Sequence, residues 1–112
     1  MTDQLTRPVS EMIVQRMKAD DEFRRGLLCE AAGLIANGEC EPAKFLIGDC
    51  IVAMDAEDHV AAALGQAKTE TKNVFSPEGH PTLTDLSTAL GCLRKIEGIV
   101  FEVREQTPEL VA

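Results

Sequence analysis

The sequence predicts an all-α domain, a small helical bundle followed by one C-terminal β-strand, on three observations. The chain has 112 residues, enough for one hydrophobic core and too few for two domains. Aromatic residues make up only 4% of it while Ala and Leu recur throughout, which is typical of packed helices rather than of a β-sandwich. One segment, 99–104, alternates between apolar and polar positions in the manner of a strand.

Two helices are predicted before residue 37. Ser10 can cap a first, short helix, and Asp20 and Asp21 supply the cap and the dipole partner of a second. Asn37-Gly38 is expected to end the second helix, because glycine accepts the left-handed backbone of a helix C-terminus. The apolar residues of the second helix recur at helical spacing and are predicted to face the core: Phe23, Leu27, Leu28, Ala31, Leu34 and Ile35.

The third predicted helix carries the most regular apolar stripe of the sequence. Pro42 is suited to its first turn, where the missing N–H has no helical partner to lose. The stripe follows at helical spacing: Ala43, Leu46, Ile47, Cys50, Ile51 and Met54. This spacing predicts a helix over 42–54 at the centre of the core.

The next region predicts two short helices, a tight loop and a longer helix. Asp55 is expected to cap a helix over 56–64 that stops at Gly65, and a second short helix is expected over 68–75. The loop is predicted because residues 76–81 contain two prolines and a glycine. The longer helix is expected to start at a capping box formed by Thr82 and Asp85, to end at Gly98, and to bury four leucines: Leu83, Leu86, Leu90 and Leu93.

The chain is therefore predicted to form one domain, 1–112, in which the order of elements outlines a helix-turn-helix. In such domains the second short helix enters the major groove of DNA. The predicted parts are an N-terminal helical arm (1–20), a two-helix support (21–54), the helix-turn-helix region (55–96), the strand (99–104) and a tail (105–112).

The lone strand leaves unpaired backbone groups, and no other segment is predicted to be a strand. Pairing with the same strand of a second subunit across a two-fold axis would satisfy them. This predicts a homodimer with Ile99, Phe101 and Val103 in its interface. The alternative is an extended tail lying on its own helices.

Charge and composition restrict the classes of function. The net charge is −8, so general polyanion binding is not expected and any DNA contact must come from a local patch. The apolar runs are shorter than a membrane span requires, and no basic segment followed by an apolar core is present at the N-terminus. These features predict a cytoplasmic protein without a membrane partner.

No catalytic, cofactor or metal site is predicted. The sequence lacks a Gly-rich phosphate loop, a nucleophile motif and a close carboxylate pair, so we expect it not to be an enzyme. Its four cysteines form no C-x-x-C pair and both histidines lie apart from them, which argues against zinc. Cys29 and Cys50 are interpreted as small core residues in a reducing compartment.

Several sequence segments are also similar to a known family. They are Asp21-Glu22-Phe23-Arg24-Arg25, Asn37-Gly38-Glu39, Ala43-Lys44, Asp49 and the loop Phe75-Ser76-Pro77-Glu78-Gly79-His80-Pro81-Thr82-Leu83. Over residues 20–104 the chain resembles small bacterial helix-turn-helix proteins of the addiction-module antidote type, relatives of phage-repressor-like transcriptional regulators. The resemblance implies a phage-repressor-like fold, dimeric binding to DNA and repression of transcription, and in some members neutralisation of a toxin protein.

The chain departs from the family pattern around the turn and the second short helix. Gln66 stands where the family has an apolar residue, Ala67 where it has a Ser or Thr cap, and Thr71 where it buries a Leu. His80 replaces the usual Asn of the loop. Residues 55–98 also hold seven acidic against four basic residues, so the DNA-binding features are weakened more than the fold features.

The predicted function is a DNA-binding transcriptional regulator, an antitoxin-like repressor of a palindromic double-stranded operator. The residues expected to contact DNA are Lys68, Thr69, Lys72, Asn73, Ser76 and Gly79. The alternative is a degenerate helix-turn-helix module that binds a toxin protein or itself, with little or no DNA binding, and in which these side chains form a solvated helix face. Arg24 and Arg25 allow a phosphate contact or a salt-bridging face, of which the face is favoured.

Overall fold

The structure, a computed structural model, describes the backbone of residues 2–108 and the side chains of residues 11–108. The all-α prediction is confirmed, since the described residues contain helices and no strand. The helices, in chain order, are α1 (Thr2–Ala19), α2 (Asp21–Ala36), α3 (Cys40–Ala53), α4 (Glu57–Leu64), α5 (Lys68–Val74) and α6 (Leu83–Glu97).

Helix α3 lies at the centre of the bundle, as its stripe predicts. It contacts α1, α2, α4 and α6. Ala43, Ile47 and Cys50 have no exposed surface, and Leu46 and Met54 are half-buried at the margin of the same face. Burying this face removes apolar surface from water on four sides of one helix, and this burial is the main stabilising contribution to the fold.

Local capping groups set the starts of α2 and α6 and the ends of α4 and α6. The Asp20 carboxylate accepts the N–H of Phe23 at 3.0 Å, and Thr82 and Asp85 form the predicted capping box. Gly65 and Gly98 end α4 and α6 with φ of 68° and 77°, a left-handed conformation that is costly for residues with a Cβ.

Two predicted helix starts are wrong. Helix α1 begins at Thr2, so Ser10 lies inside it instead of capping it. Asp55 does not cap α4, whose N-cap is Ala56. Asp55 instead has a left-handed backbone, φ 50°, in the tight connection after α3, a conformation that Asp tolerates better than most residues.

Two predicted core residues also lie at the surface. Leu83 is 60% exposed, because it is the first residue of α6 and the buried face of that helix begins one turn later, at Leu86. Cys29 is exposed, since it follows the buried Leu28 and one residue turns a helix by about 100°. Cys50 is buried as predicted.

The segment after α6 has no regular secondary structure and forms no ladder within the described chain. Ile99 and Phe101 pack against the core, whereas Val103 is 91% exposed. The predicted strand over 99–104 and its pairing therefore stay predictions. Residues 105–108 are exposed and without regular structure, and the rest of the predicted tail lies outside the described residues.

Candidate nucleic-acid interface

Helix α5 lies on the outside of the bundle. Residues 65–67 connect it to α4, and α4 is the one described helix that it contacts. Helix α4 in turn contacts α3 and α6. The bundle therefore presents a short helix whose surface, apart from the side facing α4, is open to a partner.

Two buried residues, Thr71 within α5 and Phe75 directly after it, lie on the inward side of this region. Thr71 is 3% exposed, and its hydroxyl donates a hydrogen bond to the side-chain oxygen of Gln66 at 3.2 Å. Each side chain of this pair therefore has a hydrogen-bonding partner within the described chain. Ala67, the N-cap of α5, makes no side-chain capping bond, so the start of α5 lacks the stabilisation that a Ser or Thr would add.

The outward side of α5 carries Lys68, Thr69, Lys72 and Asn73, which are all exposed. Their spacing places Lys72 one turn after Lys68, and Asn73 one turn after Thr69. We call these four residues the α5 face. Lys68 lies 3.7 Å from the carboxylate of Asp58 on α4, a solvent-exposed ion pair of small energetic value. The structure thus groups four of the six residues predicted to contact DNA on one surface.

The other two predicted residues, Ser76 and Gly79, fold the loop onto the end of α5. The Ser76 hydroxyl donates to the carbonyl oxygen of Asn73 at 2.7 Å, and the Gly79 N–H donates to the carbonyl oxygen of Ser76 at 2.9 Å. A Cβ on Gly79 would overlap the carbonyl groups of Asn73 and Val74. Only glycine therefore permits this close approach of loop and helix.

Lys44 holds the same loop from the opposite side, a role that the sequence analysis missed. It is 1% exposed, and its ammonium donates to the carbonyl oxygens of Pro77 at 3.1 Å and Gly79 at 3.0 Å. The carboxylate of Glu41 lies 3.1 Å from the same nitrogen. A usable signal was present, since Lys44 precedes Ile47 by three positions and so places a cation on the apolar face of α3.

Arg24 and Arg25 belong to an ion-pair cluster that joins α2 to α6. Two nitrogens of Arg24 bond the two Glu97 oxygens at 2.8 and 2.9 Å, and Arg25 lies 3.1 Å from Glu97. Arg24 also donates to the Met17 carbonyl and to Asp21. The hydrogen bond from Arg24 lowers the pKa of Glu97 below its usual range. The arginines therefore form the salt-bridging face that the sequence favoured.

The charge of the candidate interface is balanced rather than basic. Lys68 and Lys72 are matched by Glu70 and Glu78, and all four are exposed. Because affinity for DNA arises largely from neutralising phosphates, this surface has no net positive charge to contribute to such an affinity.

The described residues show no arrangement for metal chemistry. They contain no group of three or more His, Cys, Asp or Glu side chains able to hold a metal ion. The four cysteines are free thiols, and burial raises the pKa of Cys50 to about 12, so that thiol stays protonated at neutral pH. None of the described helices is long and apolar enough to span a membrane.

Comparison with known proteins gives no match to this chain among family models, curated proteins or solved structures.

Proposed function

We propose that the protein is a DNA-binding transcriptional regulator in which α4 and α5 form a helix-turn-helix and α5 is the recognition helix. The observation that best supports this proposal is the position of α5. This helix contacts α4 alone among the described helices, and the α5 face points outward. A helix of this kind, supported from one side, can enter the major groove of DNA.

The side chains of the α5 face suit the two kinds of contact that such a helix makes. Lys and Asn can read guanine and adenine edges, and Thr can hydrogen-bond either base. Lys68 and Thr69, in the first turn, and Asn73, one turn after Thr69, are assigned to base edges. Lys72, Ser76 and Gly79 are assigned to phosphates, which fix position without reading sequence.

We further propose that the regulator is a homodimer paired through residues 99–104. The backbone N–H groups of residues 100–104 donate to no acceptor among the described residues, and Val100 and Val103 are exposed. An antiparallel pair with a second copy would engage these groups. Two α5 helices would then face a palindromic operator with half-sites about one helical turn apart.

The dimer is tested by replacing Phe101 and Val103 with proline, which removes two backbone donors and two apolar side chains. The variant is expected to sediment as a monomer where the wild type sediments as a dimer. Prolines at Glu105 and Thr107, outside the predicted strand, serve as the matched control and should leave the mass unchanged. Equal masses for wild type and the 101/103 variant would contradict the strand pairing.

DNA binding is tested by fluorescence titration against a palindromic duplex selected from a random pool and against a scrambled duplex, at two salt concentrations. Lys72→Glu should weaken binding to both duplexes similarly, because it replaces a phosphate attraction by a repulsion. Lys68→Ala or Asn73→Ala should instead alter sequence preference. Lys95→Glu, the same charge change on α6, should weaken binding less than Lys72→Glu does.

The second candidate function is a protein-interaction module of the antitoxin-like type. The balanced charge of the α5 face and the exposed apolar side chains of Ile96, Val100 and Val103 favour it. Its partner would be a toxin protein or a second copy of the chain. If the wild type binds neither duplex even at low salt, the regulator function is rejected and the protein-interaction function takes its place.

A further inference from the structure

The ammonium group of Lys44 is surrounded by protein oxygens. It carries three N–H donors and lies within hydrogen-bonding distance of three oxygens, on Pro77, Gly79 and Glu41. Because the side chain is 1% exposed, Lys44 is not accessible to a DNA phosphate. Its effect on any bound molecule must pass through the loop that it holds.

That loop has two peptide groups whose direction Lys44 fixes. The carbonyl oxygens of Pro77 and Gly79 point to the Lys44 nitrogen, and the described chain has no cis peptide bond. In a planar trans peptide the N–H is opposite to the C=O, so the N–H groups of Glu78 and His80 point away from Lys44. Both residues are exposed, and neither N–H donates to an acceptor among the described residues.

We propose that Lys44 is a positioning residue for DNA binding, which turns the N–H groups of Glu78 and His80 outward, toward the phosphates of the DNA backbone. The proposal rests on the regulator function given above, because the duplex supplies the phosphate. Outward backbone N–H groups can donate hydrogen bonds to phosphate oxygens. The loop follows α5 within a few residues, so it would lie beside the groove that α5 enters. The exposed carboxylate of Glu78 opposes the phosphate and limits the gain.

The first test is Lys44→Met, which keeps an unbranched side chain of similar reach and removes the ammonium. Affinity for the selected duplex should fall at least tenfold at every salt concentration. The slope of log affinity against log salt should stay unchanged, because Lys44 itself neutralises no phosphate. By contrast, Lys72→Glu should change that slope, by at least about one for the lost phosphate contact. Leu90→Ala, which destabilises the core at a site on α6, is the matched control and should bind as wild type at a temperature where it is folded.

The second test uses the wild-type protein, so it holds even if Lys44→Met does not fold. In ¹H–¹⁵N spectra recorded with the selected duplex, the amide signals of Glu78 and His80 should shift downfield, and those of Gly26 and Gly91 should stay in place. Unmoved signals from Glu78 and His80 in a bound complex would overturn the proposal, as would wild-type affinity or a changed salt slope in a folded Lys44→Met variant. If the wild type binds no duplex, the regulator function itself fails, and the role of Lys44 in DNA binding fails with it.

Discussion

Replacing Ile47 by Asp is expected to abolish cooperative unfolding. Ile47 has no exposed surface and lies on α3, which contacts four other helices. A carboxylate there would have to be buried without a partner or to separate those helices. The cost, more than ~4 kcal/mol, is a large part of the roughly 5–15 kcal/mol that stabilises a typical domain. Thermal melts followed by circular dichroism should show no sharp transition.

The matched control for Ile47→Asp is Val52→Asp, the same kind of change on the same helix. Val52 is 45% exposed, so its carboxylate can remain hydrated, and the loss should stay within about 1 kcal/mol. Similar melting midpoints for the two variants would show that α3 does not bury the face assigned to it.

The second large effect is expected for Glu97→Gln. The Glu97 side chain is 6% exposed, and it pairs with Arg24, which is 15% exposed. Removing its charge leaves Arg24 largely buried with a weaker partner, at a cost of about 3 kcal/mol. Urea unfolding at neutral pH measures this loss. Asp58→Asn, which removes an exposed carboxylate 3.7 Å from Lys68, is the control and should change stability little.

The same variant should also reduce the sensitivity of the fold to acid. Hydrogen bonds from Arg24 and Arg25 lower the folded-state pKa of Glu97, although burial opposes them. The unfolded carboxyl group titrates near ~4.3, so Glu97 stabilises the fold fully above that pH. Its contribution is lost as pH falls through the folded pKa. The melting midpoint of the wild type should therefore drop more steeply below about pH 4 than that of Glu97→Gln, and parallel curves would contradict this role.

The exposure of the residues of the candidate interface could be predicted from the sequence. The contacts that hold α5 and its loop in place could not. The exposed positions of α5 follow from helical spacing, and the loop from two prolines and a glycine between polar residues. The place of Lys44 on the apolar face of α3 follows from helical spacing, but its loop partners Pro77 and Gly79 lie 33 and 35 positions away and do not follow from that spacing. In the sequence, Thr71 and Gln66 count as two separate departures from the expected helix-turn-helix pattern. In the structure they are hydrogen-bonded to each other.

The sequence by itself determined the number of helices after the N-terminal arm, the caps that start α2 and α6, the glycines that end α4 and α6, and the central position of α3. Those features depend on capping side chains, left-handed glycines and apolar periodicity, which act within a few residues of one another. Only the tertiary structure decided which charged groups are buried. Arg24 meets Glu97 across 73 positions, and Lys44 meets Pro77 and Gly79 across 33 and 35. A buried charge is stable only beside its partner, and a partner so distant in the chain is brought near by folding, with no trace in the local pattern.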